Sequence, residues 1–219
     1  MKKFAVVLAG CGVYDGSEIH EATLALLAIK QAGADYQCFA PDIEQHHVIN
    51  HLTGEEMPEK RNVLVESARI ARGKIKPLSE YKAADFDALL FPGGFGAAKN
   101  LSTVAFDGPK AMVNKEVELA IRNAHASKKP IGAMCISPTF VAKVLGNVNV
   151  TIGQDEGTIQ AIEAMGGTHI ETDHGDVVFD EENHVFTTPC YMLDASIEDI
   201  WDGAYNIVDA MMKEMKNED

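Results

Sequence analysis

The run Lys128-Lys-Pro-Ile-Gly-Ala-Met-Cys135-Ile-Ser-Pro-Thr-Phe140 sets one cysteine between a short apolar stretch and a helix-like stretch. A strand-to-helix turn of this kind thrusts its middle side chain out at the carboxyl edge of a sheet, where a rigid scaffold holds it for reaction. The free N–H groups of a helix from Ile136 to Leu145 are expected to lower the thiol pKa and favour the thiolate, the form that attacks. Two other segments offer what such a nucleophile needs. The glycine pair in Pro92-Gly93-Gly94 lets the backbone approach a substrate and aim an N–H inward, and with the amide of Ile136 it makes a two-donor oxyanion hole. A carboxylate from the loop up to Glu21 would accept the thiol's hydrogen bond or move a proton on a bound carbonyl carbon. Each piece alone has a plainer reading: a turn, a helix-dipole glutamate, a packed cysteine. Their convergence carries the argument.

Alternating strands and helices would bring these segments together. Phe4 to Ala9 is a continuous apolar run, the mark of a strand buried on both faces. Ser17 is expected to cap a helix over Glu18–Gln31, with Leu24, Leu27 and Ala28 on one face and Gly33 at its end. Tyr36 to Ala40 follows as the second strand of a right-handed βαβ unit. Residues 41–61 are polar and irregular. Helices are expected over Asn62–Arg72, Lys115–Ala126, Thr158–Met165 and Ile197–Met215. Strands are expected over Asp87–Phe91, Pro130–Met134 and Val148–Ile152, with a hairpin of Val177–Phe179 and Val185–Thr187. This order predicts an α/β doubly wound sandwich, a mostly parallel sheet with helices on both faces, whose ligands sit beyond the strands' carboxyl ends. No linker or repeat divides residues 1–219, so one domain is expected.

Composition narrows the partners. Net charge is −14, from 33 acidic and 19 basic residues, and such a surface repels phosphate. Nucleic acid and anionic membranes are therefore not expected partners. Four scattered cysteines with no Cys-x-x-Cys pair imply reduced thiols and a cytoplasmic protein. Leu8-Ala9-Gly10-Cys11 after two lysines mimics a lipoprotein signal, but a buried first strand explains the run better. His46, His47, His51 and Glu44 have zinc-like spacing without a fixed third ligand, and a solvated cluster is the simpler account. No dinucleotide fingerprint or phosphate loop occurs, and no cofactor is expected.

Phe91-Pro-Gly-Gly-Phe-Gly-Ala-Ala-Lys-Asn-Leu-Ser102 and Ala133-Met-Cys-Ile-Ser-Pro138 resemble the class I glutamine amidotransferase-like superfamily, nearest its PfpI-like and parkinsonism-associated deglycase group. Gly10-Cys-Gly-Val-Tyr-Asp-Gly-Ser-Glu-Ile-His-Glu21, with Asn62-Val-Leu-Val-Glu-Ser-Ala-Arg-Ile-Ala-Arg-Gly73, resembles the isoprenoid-biosynthesis glyoxalase branch, also called enhancing lycopene biosynthesis proteins. The resemblance spans nearly the whole chain. It implies a flavodoxin-like fold, a homodimer, and a cofactor-independent glyoxalase acting on a small dicarbonyl, glyoxal or methylglyoxal, to give a 2-hydroxy acid. By the same resemblance Cys135 stands at the nucleophile position, and the amides of Gly94 and Ile136 stand at the substrate oxygen. Counting back from Gly33 without a gap puts the family's glutamate at Glu21 rather than Glu18.

The chain departs from its peptidase-like relatives, which place a histidine directly after the cysteine, because Ile136 stands there. His169-Ile-Glu171 matches the amidotransferase His-x-Glu literally but lacks its flanks, so a Cys-His-acid hydrolase is not assembled. His20 and His174 remain open as assisting groups, and Cys11 is a candidate second thiol beside Cys135. The other readings are a cysteine hydrolase or deglycase, and a non-catalytic redox-sensing or chaperone-like protein.

Overall fold

The computed structural model describes residues 1–217 and is built on one twisted sheet. The first half runs β1 (Lys3–Val7), α1 (Ile19–Gln31), β2 (Asp35–Ala40), α2 (Val63–Ile70), β3 (Ile75–Pro77) and β4 (Ala88–Phe91). Short helices α3 (Phe95–Lys99) and α4 (Val104–Asp107) lead to α5 (Lys115–Ala126), β5 (Ile131–Met134) and α6 (Pro138–Leu145). The chain then forms β6 (Asn149–Val150), α7 (Glu156–Ala164), β7 (Thr168–His169), β8 (Val178–Asp180), β9 (Val185–Thr188) and α8 (Ile197–Asn217). Seven strands form the main sheet in the order β3-β2-β1-β4-β5-β9-β8. Every pairing in it is parallel except β8 with β9, while β6 and β7 pair apart from it. This is the doubly wound α/β sandwich that the alternation predicts, of the flavodoxin-like kind that the resemblance implies.

Two apolar layers hold the sheet. Phe39, Phe91, Ile121, Phe140 and Val141 pack one face under α5 and α6. Leu8, Ile29, Leu90, Met134, Ile207 and Met211 pack the other under α1 and α8. Strand order reverses between β1 and β4, since the chain winds outward through β2 and β3 and then returns to build β4 and β5. That switch point opens a crevice at the strands' carboxyl ends.

Local differences from the sequence reading have physical causes. The N-cap of α1 is Glu18, not Ser17: Glu18 accepts the Glu21 N–H through its carboxylate, whereas Ser17 turns inward and accepts the Ala9 N–H. The buried face of α1 is Ala22, Ala25, Leu26 and Ile29, at spacings of three and four, and Leu27 is exposed. β3 escapes the sequence reading because it is three residues long with a lysine in its middle, an ordinary way to blunt a sheet edge. The strand expected over Val148–Ile152 keeps only Asn149–Val150.

Candidate functional site

The two loops at the switch point are stitched together by backbone. Glu18 N donates to Gly93 O, Phe95 N to Val13 O and Gly96 N to Gly16 O. The approach is so close that only glycine fits. A Cβ on Gly94 would stand 2.3 Å from Glu18 N, and its φ of +98° disfavours any side chain. The start of α1 is thereby locked against the Pro92-Gly93-Gly94 turn.

Cys135 follows β5 with φ +59°, in the left-handed region. Non-glycine residues rarely adopt it, and when they do they cluster at functional sites. Two bonds pin the elbow. Cys135 N donates to Thr188 O at 3.0 Å, and Ser137 Oγ donates to Pro92 O at 2.8 Å. The residue is 7% exposed.

Glu21 is 0% exposed and points to the sulfur from the first turn of α1. Its Oε2 accepts Gly93 N–H at 2.8 Å, its Oε1 accepts Tyr191 N–H at 3.3 Å, and it shares a hydrogen bond with the Cys135 thiol. The proximity is plain at Gly93, where an added Cβ would fall 2.6 Å from Glu21 Oε2 and 2.8 Å from Cys135 Sγ. The amides of Gly94 and Ile136 donate to the same sulfur. The four residues singled out by sequence therefore meet at one atom.

The electrostatics correct one expectation. Burial, reinforced by neighbouring Glu18, raises the Glu21 carboxyl to about 7. Burial and then Glu21 push the Cys135 thiol up, against the downward pull of the Gly94 and Ile136 amides. The helix that was to lower it begins only at Pro138, whose nitrogen carries no hydrogen. Two buried acids in contact cannot both ionise cheaply, so as pH rises through about 7 the pair gives up one proton and keeps the other.

A cavity of about 380 Å³ opens onto the sulfur, with Val13, Glu18, Phe95, Val104, Ile136 and Met192 in its wall. The histidines lie elsewhere. His169 Nε2 accepts Ile152 N–H at 3.2 Å, His174 sits beside Asp173, and His51 accepts Tyr14 N–H and stacks on its ring. His46 and His47 pack on Phe106. Among the described residues no cluster of histidine, cysteine and carboxylate could hold a metal. His20 touches the site indirectly, with Nδ1 2.8 Å from the Tyr191 hydroxyl.

Sequence reasoning misplaced the second thiol. Cys11 lies among Asp15, Glu66 and Arg69. The cysteine beside Cys135 and Glu21 is Cys190, which is 4% exposed, with its thiol also raised by burial. Tyr191 was missed as well, because it acts on Glu21 through a backbone N–H that carries no signature of residue type.

No family model matches the chain. Curated relatives do. It is 48% identical over 223 residues to the ES1 protein homolog, mitochondrial, of Rattus norvegicus, covering 97% of this chain and 82% of the relative. It is 49% identical over 211 residues to glutamine amidotransferase-like class 1 domain-containing protein 3, mitochondrial, of Homo sapiens, covering 92% and 79%. Among solved structures, an isoprenoid biosynthesis protein with amidotransferase-like domain from Ehrlichia chaffeensis superposes with TM-score 0.92 at 39% identity, covering 97% of this chain and 99% of that one. A DJ-1 superfamily protein from Salmonella typhimurium shares the fold, with TM-score 0.62 at 19% identity over 100% and 96%. The relatives named mitochondrial overturn the cytoplasmic expectation. Unpaired cysteines report thiols kept reduced, and that does not single out the cytoplasm.

Proposed function

The chain belongs to the class I glutamine amidotransferase-like superfamily, in the group that holds the ES1 proteins, and from this membership and the site's geometry we propose that it is a cofactor-independent glyoxalase. One observation carries the reading: a buried thiol and a buried carboxyl are hydrogen-bonded to each other beneath two convergent amides.

That arrangement suits an internal redox reaction of a 2-oxoaldehyde. The Cys135 sulfur bonds to the aldehyde carbon, and the carbonyl oxygen takes the shared proton from Glu21, giving a hemithioacetal. Glu21, now a carboxylate, removes the proton from that carbon. The electron pair moves into the neighbouring carbonyl and forms an enediolate. As the sulfur loses its negative charge on bonding carbon, the Gly94 and Ile136 amides are free to serve the oxygen. Glu21 returns the proton to the neighbouring carbon as the hydroxyl proton passes from the first oxygen to the second, which leaves a thioester and an alcohol. Water cleaves the thioester and releases glycolate or lactate. One carbon is oxidised as its neighbour is reduced, so no external acceptor enters the balance. A carboxyl near 7 is matched to this double duty, because it gives and takes protons at neutral pH with little cost either way.

A hydrolase built on a Cys-His pair is not assembled here, because among the described residues no histidine lines the cavity. The test is acid formation from methylglyoxal without glutathione, with and without an added amine. Equal rates in both support the glyoxalase. Acid formed only when the amine is present supports the deglycase instead.

A further inference from the structure

The wall of the cavity has a one-sided charge. Its charged residues are Glu18 and Asp155, and among the described residues no lysine, arginine or histidine lines it. Lys99 stays out of the lining, donating to Tyr14 O at 2.9 Å and lying over the Phe95 ring. Both acids cap a helix through one oxygen: Asp155 Oδ2 accepts the N–H and the hydroxyl of Thr158, and Glu18 Oε2 accepts Glu21 N–H. They differ in burial, since Asp155 is exposed at the rim whereas Glu18 is 8% exposed, and no described residue bonds its Oε1. Beneath it the Cys135–Glu21 pair carries a further negative charge when it holds one proton. Much of the remaining wall is apolar, from Val13, Phe95, Val104, Ile136 and Met192, with Thr158 and Tyr191 the polar exceptions, so at its buried end the charge of Glu18 is less screened than at a free surface.

We propose that the cavity accepts neutral or cationic carbonyl compounds and turns anionic ones away, with Glu18 as the residue that sets this charge selection. The carbonyl class rests on the glyoxalase reading, whereas the charge selection rests on the wall alone. A phosphorylated metabolite, or a free amino acid with its carboxylate, would bring an anion into a wall that has no cation to receive it. A substrate with a hydroxyl or ammonium donor finds an acceptor in Glu18.

The test needs no turnover. Three methanethiosulfonates of similar size, the neutral methyl, the cationic 2-aminoethyl and the anionic 2-sulfonatoethyl reagents, are reacted with the folded protein at neutral pH and high salt. Each forms a mixed disulfide and releases methanesulfinate. Labelling at Cys135 is read by peptide mass, and each rate is divided by that reagent's rate with glutathione. The neutral and cationic reagents are expected to label at least tenfold faster than the anionic one. Glu18→Ser keeps a capping oxygen on α1 while removing the charge, and is expected to shrink the gap to within about threefold. Ala105→Lys, at an exposed position in the wall, leaves the cap untouched and should raise the anionic reagent's rate. Equal normalised rates in the unaltered protein overturn the proposal, as does a gap that neither substitution narrows. Selective labelling with no acid from methylglyoxal would sink the glyoxalase and leave the charge selection standing.

Discussion

Cys135 and Cys190 stand at the ends of adjacent parallel strands, both buried and both in the left-handed region, at φ +59° and +44°. Both feel Glu21, and burial raises both thiols. Yet Cys135 receives two amides and a carboxyl and opens on a cavity, whereas Cys190 packs toward Gly203 of α8 and has no place in the cavity's wall. On the proposed function, burial, a left-handed backbone and proximity to an acid do not by themselves make a nucleophile. What separates the two sulfurs is converging donors and an approach path.

Truncating each thiol should split the pair most sharply. Cys135→Ala is expected to lower acid formation from methylglyoxal by at least about 10³-fold. Cys190→Ala is expected to stay within a few-fold and to lower Tm by a few degrees, as for a small buried group. Comparable losses in both would erase the distinction.

The glycines beneath the two sulfurs sharpen it next. A Cβ on Gly93 would stand 2.3 Å from Cys135 Cβ. Gly93→Ala should therefore displace sulfur and carboxyl together and cost about 10²-fold in kcat/KM. On Gly203 the nearest atom is Cys190 Sγ at 3.2 Å, and a helical Gly→Ala exchange regains about 1 kcal/mol of propensity. Gly203→Ala should leave kinetics unchanged and move Tm by no more than about 3 °C.

A further effect concerns the carboxyl and is read in stability rather than in rate. The Glu21 group titrates near 7 in the fold and near 4.5 outside it. Its pKa is raised, so its stabilising contribution is complete below about 4.5 and is lost as pH rises through about 7, a change on the order of 3 kcal/mol. Denaturant titrations at pH 5 and pH 8 should show the unaltered protein losing stability relative to Glu21→Gln as pH rises. A difference that stays flat would mean the carboxyl is not held protonated by its surroundings.

The sequence revealed what residue type and spacing encode. The apolar runs of β1, β4 and β5 and the turn residues between them lead to the doubly wound sheet. The glycine pair, Cys135, and the count back from Gly33 to Glu21 lead to the site. What stayed hidden acts through other physics. Tyr191 reaches Glu21 by a backbone N–H, and Cys190 arrives by the crossover that seats β9 beside β5. The upward shift of the Cys135 thiol depends on how deeply two acids are buried, which no local pattern records. In the sequence Glu18 stands only as the rejected alternative to Glu21, and its place in the cavity wall shows once the helix cap is built.

The central claim is that Cys135 attacks a carbonyl with Glu21 managing the proton. Rapid acid quenching of the protein during turnover of methylglyoxal, followed by peptide mass analysis, tests it most directly. A transient adduct with the mass of the substrate should appear on the peptide carrying Cys135, stay absent from that carrying Cys190, and persist longer in Glu21→Gln. Acid released at full rate with no adduct at Cys135, or with the adduct at Cys190, would contradict the account.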